Sequence, residues 1–116
     1  MASNQSNITV MIPTFNRTDF LEECLESILA QTLPAAQVLV INDGSTDNTT
    51  EILKRYAGRI ETVTTSQIGK PGAINHGLKR VTGDYLWIFD DDDVALPNAL
   101  ERLVAPLEMH REYDFS

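Results

Sequence analysis

An apolar run that ends on four consecutive aspartates is the most constraining feature of this sequence. Residues 85–89 have the length and the aromatic and β-branched content of a buried strand, and residues 90–93 are all aspartate. Four adjacent carboxylates repel one another unless a positive charge lies among them. A divalent cation fits, because hard cations bind both carboxylate and phosphate oxygens. An isolated acidic run is more often a solvated turn. In this chain, however, the run stands at the end of an apolar strand, and that position favours a binding site.

Composition excludes several classes of protein. The chain has 116 residues, enough for one domain, and its 42% apolar and 22% charged content is typical of a globular protein. A net charge of −8 without a lysine and arginine stripe argues against a nucleic-acid partner. The single cysteine, Cys24, excludes an intrachain disulfide and is expected to be a buried small hydrophobic residue. No stretch is long enough to span a membrane, so we expect a cytoplasmic location, with membrane association left open through regions outside this chain.

Hydrophobic periodicity predicts strands that alternate with helices. Strands are expected at residues 8–12, 37–41, 59–64 (an edge strand) and 85–89. Helices are expected after Asp19, over residues 47–56 and 73–81, and from Pro97 through Leu107. The order is therefore β-α-β-α-β-α-β-α, which predicts an α/β fold: a Rossmann-like, mostly parallel open sheet with helices on both faces.

Particular residues mark where these elements begin and end. Pro13 is expected to end the first strand, because proline cannot donate to a sheet ladder. Asp19 and Glu22 have the spacing of a capping box at the start of the first helix. Pro106 predicts a kink or an end in the last helix. We further expect residues 1–7 to be a disordered lead-in, residues 69–72 to form a flexible basic loop, residues 8–116 to form one domain, and residues 113–116 to begin another element.

Three polar segments follow strands of the predicted sheet: residues 13–17, 42–45 and 90–93. The carboxyl ends of parallel strands meet at one edge of a sheet, where α/β proteins bind ligands. The sequence has neither a Gly-x-Gly-x-x-Gly dinucleotide motif nor a P-loop, so a bound phosphate must be neutralised in another way.

Individual residues of these segments have alternative roles. Asp43 could accept hydrogen bonds from a nucleobase or ribose, or form a turn or a helix cap. Phe15 could stack on a base or belong to the core. Lys70 could reach a phosphate or be an ordinary exposed lysine. Arg17 could pair with phosphate or with a nearby carboxylate, Glu22 or Asp19. Two histidines and one cysteine do not make a convincing catalytic triad.

Five segments in this order resemble the family 2 glycosyltransferases of the GT-A fold. They are Ile-Thr-Val-Met-Ile-Pro-Thr-Phe-Asn-Arg (8–17), Gln-Thr (31–32), Val-Ile-Asn-Asp-Gly-Ser-Thr-Asp (40–47), Gly69-Lys70 with Ala73, Asn75 and Gly77, and Gly-Asp-Tyr-Leu-Trp-Ile-Phe-Asp-Asp-Asp-Asp (83–93). The resemblance spans about residues 8–110, nearly the whole chain. Ile74 departs from it, since an arginine often stands at that position, and is more similar to the version seen in polysaccharide-synthase relatives.

The resemblance implies a role for each motif. By resemblance, the nucleobase would be contacted by Pro13, Thr14, Phe15 and Asp43, and the ribose or phosphate by Gly69 and Lys70. Asp91 would contact the ribose side of the nucleotide sugar, and Asp92 would hold a divalent metal, Mn²⁺ or Mg²⁺, on the diphosphate. Asp90 and Asp93 would be supporting or sugar-facing residues.

The function implied is a metal-dependent transfer of a sugar, usually with inversion, from a nucleotide-diphosphate sugar. A UDP-sugar would be the donor, a carbohydrate or lipid-linked hydroxyl the acceptor, and polysaccharide or glycoconjugate synthesis the process. Ser116 comes before the family's acceptor-binding half, so no catalytic base is assigned, and we expect a truncated, donor-binding half of a longer enzyme. Two alternatives stay open: a non-catalytic nucleotide-binding regulatory domain, and a nucleotidyltransferase, although residues 13–17 lack the basic glycine-rich loop of the latter.

Overall fold

A computed structural model describes residues 6–103 of the chain. The elements follow in the order β1 (Ile8–Thr14), α1 (Thr18–Leu29), β2 (Gln37–Asn42), α2 (Thr49–Arg55), β3 (Glu61–Thr64), α3 (Lys70–Leu78) and β4 (Tyr85–Ile88). Residues 99–103 are also helical. The predicted α/β alternation is confirmed. Within the described part of the chain, no helix is both long and apolar enough to span a membrane.

The four strands form one parallel sheet in the order β3-β2-β1-β4. The chain winds outwards from β1 through β2 to β3 and then returns to place β4 on the other side of β1. This reversal leaves a crevice at the carboxyl ends of β1 and its neighbours, which is where open parallel sheets bind ligands. The predicted open sheet is therefore confirmed, and so is β3 as an edge strand.

Alternate residues of the strands pack against helices on opposite faces. On one face Val10 and Val40 lie in the larger apolar cluster, together with Leu25 of α1 and Leu53 of α2. On the other face Met11, Leu39 and Ile41 pack with Ala73 of α3. Both faces are covered, which explains why β1 and β2 are buried along their whole length.

Helix α3 lies very close to the sheet at Gly77. A Cβ atom placed on Gly77 would lie 2.6 Å from Cδ1 of Ile41 and 3.1 Å from Cε of Met11. Glycine permits this approach, whereas a larger residue would have to displace the ends of the Ile41 and Met11 side chains. The first turn of the same helix lies at the edge of the sheet where the crevice is, since Lys70 and Ala73 line it.

The prediction that Pro13 ends β1 is wrong. On the β4 side the Met11 carbonyl accepts the Phe89 amide at 2.8 Å, and two residues later Pro13 has no N–H with which to extend that ladder. On the β2 side pairing continues through Pro13 with Ile41 to the end of the strand. Pro13 thus ends the pairing with β4 only, and the last residues of β1 stay in the sheet.

The predicted capping box at Asp19 is also wrong. Helix α1 begins at Thr18 with Arg17 as its N-cap, and the Arg17 side chain makes no capping hydrogen bond. The Arg17 carbonyl already accepts the amides of Phe20 and Leu21, at 3.0 and 2.9 Å. Asp19 therefore lies within the first turn rather than before it.

Residues 70–72 are helical, so the predicted flexible loop over residues 69–72 is wrong, and the helix predicted at residues 73–81 begins earlier and ends earlier. The Ala73 amide donates to the Gly69 carbonyl at 2.9 Å and closes the first turn. Pro71 is tolerated there because the first amides of a helix have no partner within it.

The last strand is less buried than its apolar sequence predicts. Tyr85 and Ile88 are 42% and 40% exposed, because β4 pairs with β1 on one side and lies at the edge of the described sheet. Continuous apolar runs are typical of strands covered on both faces, and here the described helices cover β4 only in part.

Near the ends of the described range, Ser6 and Leu100 are buried. Both the Ser6 amide and its hydroxyl donate to the Pro34 carbonyl, at 2.8 and 3.1 Å, so Ser6 belongs to the fold although it falls in the predicted lead-in. The rest of that lead-in up to residue 5, the end of the last predicted helix with Pro106, and the element predicted at residues 113–116 lie outside the described residues.

Candidate functional site

A cleft of about 240 Å³ lies at the carboxyl ends of β1, β2 and β4. It is lined by Pro13, Thr14, Phe15, Arg17, Asp43, Lys70, Ala73 and Asp91. Every nucleotide-binding residue predicted from the sequence lines this cleft except Gly69, which directly precedes Lys70. The predicted metal ligand, Asp92, does not line it and follows Asp91 in the sequence. The fold thus brings together segments that are as far apart as residues 13 and 91.

The loop after β1 presents one polar and one aromatic group. The Thr14 side chain is 3% exposed, and its hydroxyl has no hydrogen-bond partner among the described residues. Phe15, which could have been a core residue, is 44% exposed and lines the cleft. A buried hydroxyl without a partner is uncommon in proteins and is readily satisfied by a bound ligand.

Asn16 holds this loop in place. Its backbone is in the left-handed region, with φ of 53°, and its amide donates to the Ser45 hydroxyl at 3.0 Å. Its side-chain oxygen accepts the Thr46 amide at 2.8 Å. The loops that follow β1 and β2 are therefore joined, which positions Phe15 beside the end of β2.

Asp43 follows β2 and is 6% exposed. Its Oδ1 accepts the Thr65 hydroxyl at 2.7 Å and the Ile68 amide at 2.8 Å, and its Oδ2 accepts the Gly69 amide at 2.9 Å. Burial alone would raise the pKa of Asp43, but these hydrogen bonds to the charged form outweigh it and lower the pKa below 3.8. Asp43 is therefore ionised at neutral pH.

Asp91 points into the cleft, unlike the other aspartates of the run. Burial raises the pKa of Asp91 above 3.8, and the charge of Asp92 acts in the same direction, whereas the charge of Arg17 opposes the shift. Arg17 Nε lies 3.5 Å from Asp91 Oδ1. A buried carboxylate next to a guanidinium is a common arrangement in ligand sites.

The partner of Arg17, which the sequence left open, is thus Asp91. The nearby alternative, Glu22, instead pairs with Arg55 of α2 at 3.2 Å. Sequence reasoning left the role of Arg17 open and assigned no contact to Ala73, yet both residues line the cleft. The signal for Arg17 was its place in the polar segment after β1, but only the fold brings it to the aspartate run.

Lys70 reaches the acidic run from the first turn of α3. Its Nζ lies 2.9 Å from Oδ1 of Asp90, and both side chains are more than half exposed. The ammonium therefore lies between the cleft and the remaining aspartates.

Asp90, Asp92 and Asp93 form a separate cluster. Their carboxylate oxygens lie within 4.8 Å of one another, and all three residues are exposed. A turn closed by the Asp93 amide on the Asp90 carbonyl, at 3.1 Å, brings them together. An all-oxygen donor set on one exposed turn suits Mg²⁺ or Mn²⁺, which retain waters and also bind phosphate. The run is therefore divided: Asp91 belongs to the cleft, and its three neighbours form an outward-facing carboxylate cluster.

Comparison with known families agrees with this geometry. The model of the family described as "Glycosyl transferase family 2" matches residues 9–115. This chain belongs to glycosyl transferase family 2. Among its curated relatives in this family, an uncharacterized glycosyltransferase of Escherichia coli, YibD, is 36% identical over 107 residues, which cover 90% of this chain and 31% of YibD. The chain thus spans about a third of the length of this relative.

Solved structures of glycosyltransferases share the fold. S. aureus TarS 1–349, in complex with UDP-GlcNAc, has a TM-score of 0.80 and 27% identity over 90% of this chain and 32% of its own. The mannosyltransferase PcManGT from Pyrobaculum calidifontis, in complex with GDP-Man and Mn²⁺, has a TM-score of 0.81 and 29% identity over 89% of this chain and 32% of its own. The GT-A fold expected from the sequence is therefore confirmed.

Proposed function

We propose that this chain is the donor-binding portion of a metal-dependent glycosyltransferase that transfers a sugar from a nucleotide-diphosphate sugar to an acceptor hydroxyl, with inversion. Residues 8–116 would form the nucleotide-sugar-binding domain. The observation that carries the proposal is the cleft at the sheet edge, which joins the loops after β1 and β2 to Lys70 and Asp91.

The nucleoside end of the donor would occupy the β1 and β2 side of the cleft. Phe15, which is exposed and lines the cleft, would stack on the base beside Pro13. The buried hydroxyl of Thr14 would gain a hydrogen-bond partner from the ligand. Asp43 and Gly69 would lie at this end, and Asp91 would accept from the ribose.

The diphosphate would extend from Lys70 towards the carboxylate cluster. Asp92, with Asp90 and Asp93 beside it, would hold Mn²⁺ or Mg²⁺. A divalent cation held there would neutralise the charge that develops on the leaving diphosphate. Lys70, which is 2.9 Å from Asp90, would supply a second positive charge to the same phosphates.

The relatives support the class of donor. TarS binds UDP-GlcNAc and PcManGT binds GDP-Man with Mn²⁺. We propose a UDP-sugar as donor and a carbohydrate or lipid-linked acceptor, with a cytoplasmic location. Because this chain spans about a third of YibD, no residue of it is assigned as the general base.

A thermal-shift experiment on the chain tests the proposal. Any ligand that binds the folded state alone raises the melting temperature. Mn²⁺ together with UDP, or with GDP in parallel, should raise it by more than the sum of the separate effects, because the metal and the diphosphate bind each other as well as the protein. A panel of UDP- and GDP-sugars then identifies the preferred donor.

Two variants locate the effect. Asp92→Ala should abolish the synergy between Mn²⁺ and the diphosphate. Asp84→Ala removes the same charge at the opposite end of β4 and should preserve the synergy. Synergy that persists in Asp92→Ala would reject Asp92 as the metal ligand, and the absence of any nucleotide effect in the unmodified chain would reject the proposed function.

A further inference from the structure

Gln31 and Thr32, one of the five segments of the family resemblance, do not line the cleft. They follow the end of α1, and both contact the segment that comes after the aspartate run. Gln31 is 6% exposed, and its side-chain amide donates to the Leu96 carbonyl at 2.7 Å and accepts the Leu100 amide at 2.9 Å. The Thr32 amide donates to the Pro97 carbonyl at 2.8 Å. These two residues therefore hold the segment after the aspartate run against the end of α1.

Polar contacts continue along α1 towards the aspartate run itself. Ser27 lies one turn before Gln31, and its hydroxyl oxygen accepts the Ala95 amide at 3.0 Å. Cys24, one turn further back, donates from Sγ to the Asp90 carbonyl at 3.6 Å. Spacings of three and four residues place such side chains on one face of a helix. The aspartate run is thus attached to α1 at its first residue and again two residues beyond its last.

Attachment at both ends matters because the carboxylates of the run repel one another. Oxygens of Asp90, Asp92 and Asp93 lie within 4.8 Å of one another, and the turn that joins them is closed by the Asp93 amide on the Asp90 carbonyl, at 3.1 Å. A cation that had to gather these groups from a mobile segment would lose part of its binding free energy to ordering them. A turn with fixed ends reduces that loss.

The Gln31 side chain joins three backbone groups at once. An amide side chain donates two hydrogens and accepts through its oxygen. Besides the Leu96 carbonyl, Gln31 donates to the Ser27 carbonyl at 2.9 Å, which fixes the side chain to its own helix. The remaining bond, from the Leu100 amide, reaches the helix at residues 99–103. One buried side chain therefore connects α1 to the segment on which the position of the aspartate run depends.

We propose that Gln31 is a positioning residue whose buried amide holds the aspartate run in place for the divalent cation. This role rests on the proposed function and deepens it. Gln31 does not line the cleft, so it would act only through the segment that it holds, with Ser27 beside it at the Ala95 amide. Loss of the amide should then lower the affinity for the cation by more than a loss of stability explains.

A second buried glutamine separates this role from simple stabilisation. Gln37 is also 6% exposed, and its amide bonds the Arg80 carbonyl at 2.8 Å and the Thr82 amide at 2.9 Å. It begins β2, at the opposite end of the strand from the cleft. Methionine has a similar length but no N–H to donate. Gln31→Met and Gln37→Met should therefore both lower the melting temperature, because each leaves buried backbone groups without a partner.

Only Gln31→Met should weaken the binding of Mn²⁺. In calorimetric titration at saturating UDP, at a temperature where both variants are folded, its Kd for Mn²⁺ should rise roughly five- to tenfold. The Kd of Gln37→Met should stay within a factor of about two of that of the unmodified chain. GDP replaces UDP if GDP is the ligand that binds. An unchanged Kd in Gln31→Met, or an equal rise in both variants, would overturn the proposal.

Ser27→Ala tests the same attachment if Gln31→Met does not fold. The substitution removes the acceptor of the Ala95 amide, and alanine is favourable within a helix. The Kd for Mn²⁺ should rise in the same direction, by less than the rise expected for Gln31→Met. A Kd equal to that of the unmodified chain would overturn the proposal.

NMR relaxation of the ligand-free chain tests the attachment without nucleotide or metal. Gln31 bonds the backbone at Leu96 and Leu100, so a purely local effect of Gln31→Met would be confined to their neighbourhood. If Gln31 holds the aspartate run, the heteronuclear NOE values of the Asp92 and Asp93 amides should fall as well, which reports greater motion of the turn. Unchanged values at these two amides would overturn the proposal. If the unmodified chain binds neither UDP nor GDP, the proposed function fails, and this measurement still decides whether Gln31 orders the aspartate run.

Discussion

The Nζ of Lys70 lies 2.9 Å from Oδ1 of Asp90, so the first residue of α3 contacts the first aspartate after β4. Both side chains are more than half exposed, and an exposed pair of this kind stabilises a fold by about 0–1 kcal/mol at most. The pair therefore has little structural value. Its position suggests instead that the ammonium neutralises part of the acidic run.

Lys70→Ala should raise the affinity of the chain for Mn²⁺ when no nucleotide is present. The substitution removes a positive charge that repels the cation and frees an oxygen of Asp90. The same variant should weaken UDP binding, because the phosphates lose a cation. Isothermal titration with each ligand measures both effects, and a fall in Mn²⁺ affinity would contradict the arrangement described for Lys70 and the carboxylate cluster.

Lys54→Ala is the control for this prediction. Lys54 also pairs with a carboxylate, Glu51 at 3.3 Å, but within α2 and outside the lining of the cleft. Its removal changes the net charge equally and should leave both affinities nearly unchanged.

Phe15→Ala should weaken nucleotide binding with little effect on stability. Stacking of a base on an aromatic ring contributes about 1–3 kcal/mol, which is roughly a 5- to 150-fold change in Kd. Because Phe15 is 44% exposed, its truncation leaves no large internal cavity. Fluorescence or calorimetric titration with UDP measures the loss.

Phe20 offers a matched comparison for Phe15. It is 47% exposed, lies on α1 and does not line the cleft. Phe20→Ala should leave the Kd for UDP unchanged, so an equal loss in the two variants would indicate a general effect on folding rather than stacking.

Acid should destabilise the fold partly through Asp47. Partial desolvation alone would raise the pKa of Asp47, but hydrogen bonds to its carboxylate, among them one from the Thr49 amide at 2.9 Å, outweigh it and lower the pKa to about 2. A depressed pKa in the folded state means that this contribution is present above the ordinary value of 3.8 and is lost as the pH falls towards 2. Urea unfolding at several pH values should show a smaller loss of stability over this range in Asp47→Asn than in the unmodified chain.

Asp47 is exposed, so solvent screens its charge. The difference in acid sensitivity between Asp47→Asn and the unmodified chain will therefore be small. Asp84→Asn removes the same charge from another exposed site and should keep the acid sensitivity of the unmodified chain. An identical pH dependence in Asp47→Asn and the unmodified chain would rule out Asp47 as a contributor.

Cys24 should be unreactive until the protein unfolds. Its side chain lies on the buried face of α1, and burial, with the charges of the aspartate run acting in the same direction, raises the pKa of the thiol to about 12. Iodoacetamide at pH 8 should therefore label the native chain very slowly and the urea-unfolded chain rapidly. As this is the only cysteine, the label reports directly on unfolding, and rapid labelling of the native state would contradict the described core.

The sequence alone determined the class of fold and which polar segments meet at the candidate site. The hydrophobic pattern within a segment indicates which of its residues are buried in the folded protein. Examples are the apolar run at residues 37–41 and the helical spacing of Leu21, Leu25 and Ile28. The order of elements then implied a parallel sheet with polar segments at one edge. The prediction that Cys24 is a buried hydrophobic residue followed from the same periodicity and is confirmed.

Tertiary structure decided what local rules could not. Pro13 stays in β1 because β2 continues beside it after the pairing with β4 has ended, a difference between two neighbours that the sequence does not show. The strand at residues 85–88 has the apolar sequence that is typical of a buried strand, yet it lies at the edge of the described sheet.

The directions of the aspartate side chains also depend on the tertiary structure. Asp91 turns into the cleft towards Arg17, whereas Asp90, Asp92 and Asp93 face outwards, because side-chain direction depends on the turn in which each residue lies. The partners of Asp43, more than twenty residues away, exist only once β2 and α3 have packed. Contacts across such distances depend on the packing of whole elements, which periodicity within one segment cannot encode.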